Sequence, residues 1–229
     1  MDFILSGIVK ALYLIANGDP ETYSAVKATI YVSGCSMLVS LALGIPFGFA
    51  LGYFQFRGRR SLKLVMDTLM ALPTVFIGLL VYALISSRGP LGEMGLLFTI
   101  PGIAIGQAIL AFPVVAALSA TAVESMDVRL RPTLMSFGVS RTQLFLSSIA
   151  EVRFGLLVAA LNAYGRVTTE VGISMMVGGN IKWHTRTITT AIALETGKGM
   201  FDTGIALGII LLFIAFAVNI SMSFIRKYQ

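Results

Sequence analysis

Arg166 and Glu170 stand four residues apart in the segment LNAYGRVTTEVG, whose flanks are apolar enough to lie in a membrane. At helical periodicity Asn162, Arg166 and Glu170 form one polar stripe on one face, with Thr169 beside it. Ionisable groups inside a bilayer are costly, so they face protein or a water-filled cavity and have a role there. A cation and an anion one turn apart are expected to neutralise each other. As a clamp, the pair would fix helix positions in a dimer. As part of a pathway, Arg166 would compensate an anion crossing a low-dielectric region. Beyond the pair, Met175 and Met176 precede Gly178 and Gly179. Flexible thioethers beside a hinge suit a deformable hydrophobic gate, and they equally suit core filling. Asn180, Lys182 and Arg186 come next at an outer mouth, where cations either draw an anion in or contact headgroups and acidic partner surfaces.

Other chemistries lack their residues. The chain has no G-x-x-x-x-G-K-[ST] phosphate loop, because Gly197-Lys198 is followed by Gly199 and lacks the upstream glycine. It has no serine elbow and no paired catalytic carboxylates. His184, the only histidine, has no cysteine or carboxylate cluster near it to hold a metal. Cys35, the only cysteine, excludes an internal disulfide and reads as a small buried hydrophobe.

The elements that position the polar stripe are membrane spans. The chain has 229 residues, 56% hydrophobic and 12% charged, with a mean hydropathy of +0.87, too apolar for a soluble globule. Its formal charge of +6 sits in short runs between apolar segments, the pattern of membrane topology and not of nucleic-acid binding. A spanning helix needs about 20 apolar residues. Ala28 to Phe56, Thr68 to Ser87, Met94 to Val123 and Thr203 to Ile225 meet that length without a charge, and Phe154 to Gly178 meets it with Arg166 and Glu170 inside. The expected fold is therefore an all-α integral membrane protein with five transmembrane helices.

Arg57, Arg59, Arg60 and Lys63 follow the first span, Arg129, Arg131, Arg141 and Arg153 the third, and Arg226 and Lys227 the fifth. Those sides are expected in the cytoplasm, with the N-terminus outside and the C-terminus inside; Lys182, Arg186 and Lys198 after the fourth span run against the rule. Trp183 and Tyr164 suit interface anchors. Residues 1–20 carry Asp2 and Lys10 where a cleavable signal would differ, and Phe3, Ile4, Ile8, Leu12 and Ile15 recur at helical spacing, as in an amphipathic interfacial helix. Small residues at Gly44, Gly48 and Gly52, at Gly102 and Gly106, and at Gly204 and Gly208 would let helix backbones approach. Pro46, Pro73, Pro101 and Pro113 are expected to kink their helices.

Between the third and fourth spans, Pro132 can start a helix with an apolar face, Gly138 breaks it, and Ser140 with Gln143 could cap a second short helix. A helix, tight turn and helix on the cytoplasmic side suits docking of a partner. Here the chain resembles the permease subunits of ABC importers, whose signature loop inserts a coupling helix into an ATPase subunit. Gly138 takes the signature glycine, Ser140 to Phe145 the coupling segment and Ile149 the isoleucine. Pro132-Thr133-Leu134 stands where the family has Glu-Ala-Ala, and Glu151 where it has proline, so the role of the family's glutamate has no carrier here.

Further on, Gly165-Arg166, Glu170, Gly172, Gly179-Asn180-Ile181 and Thr185/Thr187 resemble the pattern of the oxyanion branch, and most closely its tungstate-type form. The resemblance covers about Ala25 to Ser221, with a transmembrane domain at residues 25–221. It implies a type I importer fold and a homodimer that receives a tetrahedral oxyanion from an extracytoplasmic binding protein. Two cytoplasmic ATPase subunits would carry ATP and Mg, leaving this chain without a cofactor or enzymatic activity of its own. It implies docking through Ser136, Phe137, Gly138, Val139, Ser140 and Arg141. Membrane lipid is the remaining partner. The alternative reading is an ion-coupled secondary transporter using Arg166 and Glu170, against which the absence of an internal repeat counts.

Overall fold

The computed structural model describes residues 2–127 and 129–227, and among them it contains α-helices, one 3-10 turn at Gly92–Met94 and no strand. In chain order the helices are α1 (Asp2–Ala16), α2 (Pro20–Tyr53), α3 (Arg59–Met70), α4 (Thr74–Ile85), α5 (Ile100–Glu124), α6 (Leu130–Ser136), α7 (Arg141–Thr168), α8 (Gly172–Gly178), α9 (Ile188–Gly197) and α10 (Phe201–Lys227). α2, α5, α7 and α10 are each long and apolar enough to cross a membrane. The remaining expected span, Thr68 to Ser87, is not one rod. α3 and α4 meet at a bend of 98°. Pro73, the residue before α4, cannot donate to the preceding turn, and the backbone leaves the helix there. α4 alone is about 18 Å long, short of a full crossing.

The prolines divide by position. Pro46 and Pro113 lie inside α2 and α5, which continue through them. Pro101 falls in the first turn of α5, where its missing N–H would have been unpaired in any case, so it starts a helix instead of kinking one.

α2 and α5 form the centre of the molecule, and their contact is made by the small residues of α2. A Cβ on Gly48 would run into the Ala116 carbonyl, one on Gly52 would stand 2.7 Å from the Ala120 carbonyl, and one on Gly44 2.8 Å from Val115. Backbone therefore meets backbone along three turns, which is how helices gain dispersion energy where lipid gives no hydrophobic drive. Gly106 admits Ile173 of α8, and Gly155 admits Ala122 of α5. Gly208 meets nothing within 4 Å among the described residues, so its expected packing role is not filled within the chain.

α1 sits against the start of α10. Gly7 lies on Ile205, Phe3 on Phe201, and Lys10 reaches Asp202 at 2.8 Å and Thr203 at 2.6 Å. The stripe Phe3, Ile4, Ile8, Leu12 and Ile15 is real and points outward, leaving these side chains exposed. The inward face is Gly7, Ala11 and Leu14 with Lys10. Lys10 thus interrupts the apolar run to hold α10, not to reach water.

Candidate functional site

α7 begins well before the fourth span and runs into it, ends at Thr168, and is followed by α8 after a break at residues 169–171. Asn162 and Thr169 are exposed on this chain; the amide of Asn162 donates to the Val158 carbonyl at 2.8 Å, and the hydroxyl of Thr169 to the Gly165 carbonyl at 2.9 Å. Arg166 is half-buried and its Nε, fully enclosed, has no partner among the described residues. Glu170 is buried, 6% exposed. The expected ion pair between them is not formed. Glu170 lies past the end of α7, and one carboxylate oxygen instead accepts from the Ile173 N–H at 2.9 Å, capping α8.

The Glu170 carbonyl is also held. It accepts from the Thr189 hydroxyl at 3.0 Å and the Ser174 hydroxyl at 3.4 Å. Ser174 in turn accepts from the Gln107 amide at 3.2 Å, and the Gln107 carbonyl oxygen accepts from Ser36 at 3.5 Å. Close by, Thr29 of α2 accepts from the Ile188 N–H at 2.9 Å. A buried hydrogen-bonded chain therefore ties α2, α5, α8 and the start of α9 at the level of the break. Such networks are stabilising when fully satisfied, because each unmet group would cost a desolvation penalty inside an apolar span. Sequence reasoning passed over Gln107. The signal was available: an amide in the middle of an otherwise apolar helix needs a partner.

Of the two methionines expected at a gate, Met175 is exposed and Met176 packs near Gly78 of α4. The hinge expected at Gly178 and Gly179 is a turn: Gly179 has φ +67, a left-handed value, and Asn180 follows at φ +50. The Thr185 hydroxyl closes this loop by donating to the Gly178 carbonyl at 2.5 Å, and Thr187 caps α9. Arg186 donates to the Asn180 side chain at 3.2 Å. The cations of the expected outer mouth are not free. Glu21 takes Lys182 at 2.6 Å on one oxygen and Arg186 at 2.5 Å on the other. Glu21 was missed in the sequence because its partners lie far along the chain.

At the opposite end, Ser140 caps α7 through the anticipated capping box, with the Gln143 side chain accepting from the Ser140 N–H at 2.8 Å. The helix that this box starts is long, not the short second helix expected. Arg141 begins α7 itself, so the short helix of the loop is α6, ahead of Gly138, and not the segment Ser140 to Phe145. Ser136 ends α6, Phe137 caps it, and Gly138 turns at φ +73 with open space around it. Phe137 is 79% exposed and Met135 is also exposed. Val139 is half-buried.

A cavity of about 820 Å³ lies away from Arg166 and Glu170, under the bend between α3 and α4, with Cys35, Val39, Leu72, Leu80 and Phe112 in its wall. Cys35 is exposed there, not buried as its type suggested.

No family model matches the chain. Curated relatives do. A tungstate uptake system permease protein, TupB, of Campylobacter jejuni is 50% identical over 219 residues, covering 96% of this chain and 92% of the relative. TupB of Peptoclostridium acidaminophilum is 36% identical over 219 residues, covering 96% of each. The molybdenum transport permease ModB of Escherichia coli is 30% identical over 182 residues, covering 76% of this chain and 79% of the relative. Among solved structures, the bacterial alginate ABC transporter in complex with its alginate-bound periplasmic protein superposes with a TM-score of 0.73 at 17% identity, covering 92% of this chain and 80% of that one. Length, identity and helical arrangement agree, and the chain belongs to the permease subunits of ABC importers, in their oxyanion branch.

Proposed function

We propose that the chain is the membrane subunit of an importer for a tetrahedral oxyanion, tungstate first, working as a homodimer between a binding protein outside and two ATPase subunits inside. The observation that carries the reading is the face of α7 with Asn162 and Arg166, continued by Thr169 just past the last turn. Asn162 and Arg166 lie within the apolar span, and Asn162 and Thr169 are exposed on the single chain. The Thr169 hydroxyl is met by its own helix, but lipid offers no partner to the Asn162 side-chain carbonyl oxygen or to Arg166, so a second copy and a water-filled path between the copies are the natural neighbours of this face. The names of the tungstate relatives support the choice of anion. With no phosphate loop in the sequence, ATP hydrolysis falls to a separate subunit.

In this reading the N-terminus is outside, α6 and the Gly138 turn face the cytoplasm, and the exposed Phe137 and Met135 meet the ATPase. Alternating access then moves the gate-bearing α8 relative to its partner copy. Tungsten accumulation in proteoliposomes that contain this chain, an ATPase subunit and the binding protein tests the reading. ATP-dependent uptake of tungstate is expected. Uptake that proceeds without ATP, on an imposed ion gradient, would overturn it.

A further inference from the structure

The break between α7 and α8 contains no proline. In that it differs from the break before α4, where Pro73 forbids a continuous helix. Thr169 stands at φ −90 and ψ 2, and Val171 at φ −110 and ψ −46, each about 45° from the helical value at one dihedral and with φ still negative. Nothing in the backbone chemistry of residues 169–171 prevents the helix from running through. One tertiary contact reaches the break, the Thr189 hydroxyl on the Glu170 carbonyl, and a local one caps it, the Glu170 carboxylate on the Ile173 N–H; the Ser174 hydroxyl on the same carbonyl is an i−4 bond that a continuous helix would also allow.

The open break leaves two charged groups unmatched. Arg166 has an enclosed Nε without a partner among the described residues, and Glu170 has no cation within ion-pair distance among them. A continuous helix would match both. Glu170 would then lie one turn beyond Arg166 on the same face, in pairing position. The N–H of Ile173 would no longer need a cap, because the Thr169 carbonyl would accept it.

We propose that residues 169–171 form a reversible hinge in which Glu170 exchanges partners, capping α8 in the broken form and pairing with Arg166 in the straight form. Arg166 and Glu170 are thereby positioning residues for α8 and its methionines. Two discrete packings selected by one side chain make a bistable element of the kind alternating access needs. α8 rests on α4 where Gly78 meets Ile173, so straightening moves that contact as well. The inference rests on the transport reading proposed for the chain.

The test uses the complex with its ATPase subunits in membranes. In a Cys35→Ser background, spin labels go on Val158 and Met175, both exposed and on opposite sides of the break. A continuous helix sets their backbones about 25 Å apart. The broken form gives a second separation. The expected result is two populations whose ratio shifts between the nucleotide-free and the ATP-vanadate-trapped complex. Arg166→Met is expected to deplete the straight population by at least about tenfold, since a buried charge loses its partner. Arg166→Lys keeps the exchange, and Thr189→Val, which releases the Glu170 carbonyl, shifts the ratio toward the straight form. A purely structural role would lower the yield of Arg166→Met without moving the ratio. One separation, unchanged by nucleotide in a wild-type complex that takes up tungstate with ATP, ends the hinge and leaves the transport reading standing. Absence of ATP-driven uptake in the wild type removes the transport reading itself, and with it the purpose of the hinge.

Discussion

Glu21, at the start of α2, accepts from Arg186 at 2.5 Å and joins two points 165 residues apart in the chain. Arg186 is largely covered and also donates to the side chain and carbonyl of Asn180, whereas Lys182, the other partner of Glu21, is half in solvent. The two cations are therefore unequal. Arg186→Ala is expected to cost about 1–3 kcal/mol, because it leaves acceptors of the 180–187 turn unmet. Lys182→Ala is expected to cost less than about 1 kcal/mol, as for an exposed pair. Thermal unfolding in detergent measures both, and an equal loss would mean that the turn is not held from Arg186.

Gly48 gives the α2–α5 contact its closeness. Gly48→Val is expected to destabilise by about 1–3 kcal/mol or more, since the methyl groups meet a backbone carbonyl that cannot move aside. Gly208→Ala has open space and is expected to be neutral or to stabilise by up to about 1 kcal/mol through helix propensity. Membrane yield and melting temperature check the pair. A loss of assembly in Gly208→Ala with intact folding would place the second copy at that position.

Topology is checked by single cysteines in a Cys35→Ser background. Ser61 and Ser140 are expected to label from the cytoplasm, and Ser87 and His184 from outside. These four positions are exposed, so burial would not account for a failure to react. Labelling of Ser140 and His184 from one side would mean that α7 and α8 do not cross.

Phe137 and Gly138 carry the fourth prediction. Phe137→Ala is expected to leave the stability of the permease within about 0.5 kcal/mol of wild type, because the ring touches little of its own chain. Co-purification with the ATPase is expected to fall by at least about tenfold, about 1.4 kcal/mol, the scale of an aromatic anchor at an interface. Gly138→Val adds strain of about 1–2 kcal/mol at a left-handed position and is expected to uncouple hydrolysis from uptake. Unchanged association and uptake in both variants would move the docking site elsewhere.

What was legible in the chain depends on how local its cause is. The Ser140–Gln143 capping box could be read because both partners lie within one turn, and the small residues of α2 because their spacing repeats along one face. The family pattern from Gly165 to Thr187 was legible as types and spacing. The Arg166–Glu170 pair was misread for a reason of the opposite kind. Helical spacing assumes a helix, and the hydroxyl of Thr189 and the N–H of Ile173 take Glu170 out of it. Glu21 was silent because its two cations come from the far end of the sequence. Pro101 and Pro73 show the same limit, since a proline's effect is set by whether it falls in the first turn or ahead of it.

The bend at Pro73 has a mechanical meaning. α3 is pinned at its first turns, where Arg59 and Lys63 both grip Glu124 at 2.5 Å, and Glu124 is the last residue of α5 before the chain leads to α6. Its far end is the bend, and past the bend α4 leans on α8. α3 and α4 are thus two arms set at 98°, the first fastened to the end of α5 and the second standing against the short helix of Met175 and Met176. The bent pair thus joins the end of α5 to α8 through contacts of its own, at Glu124 on one side of the bend and at Ile173 on the other.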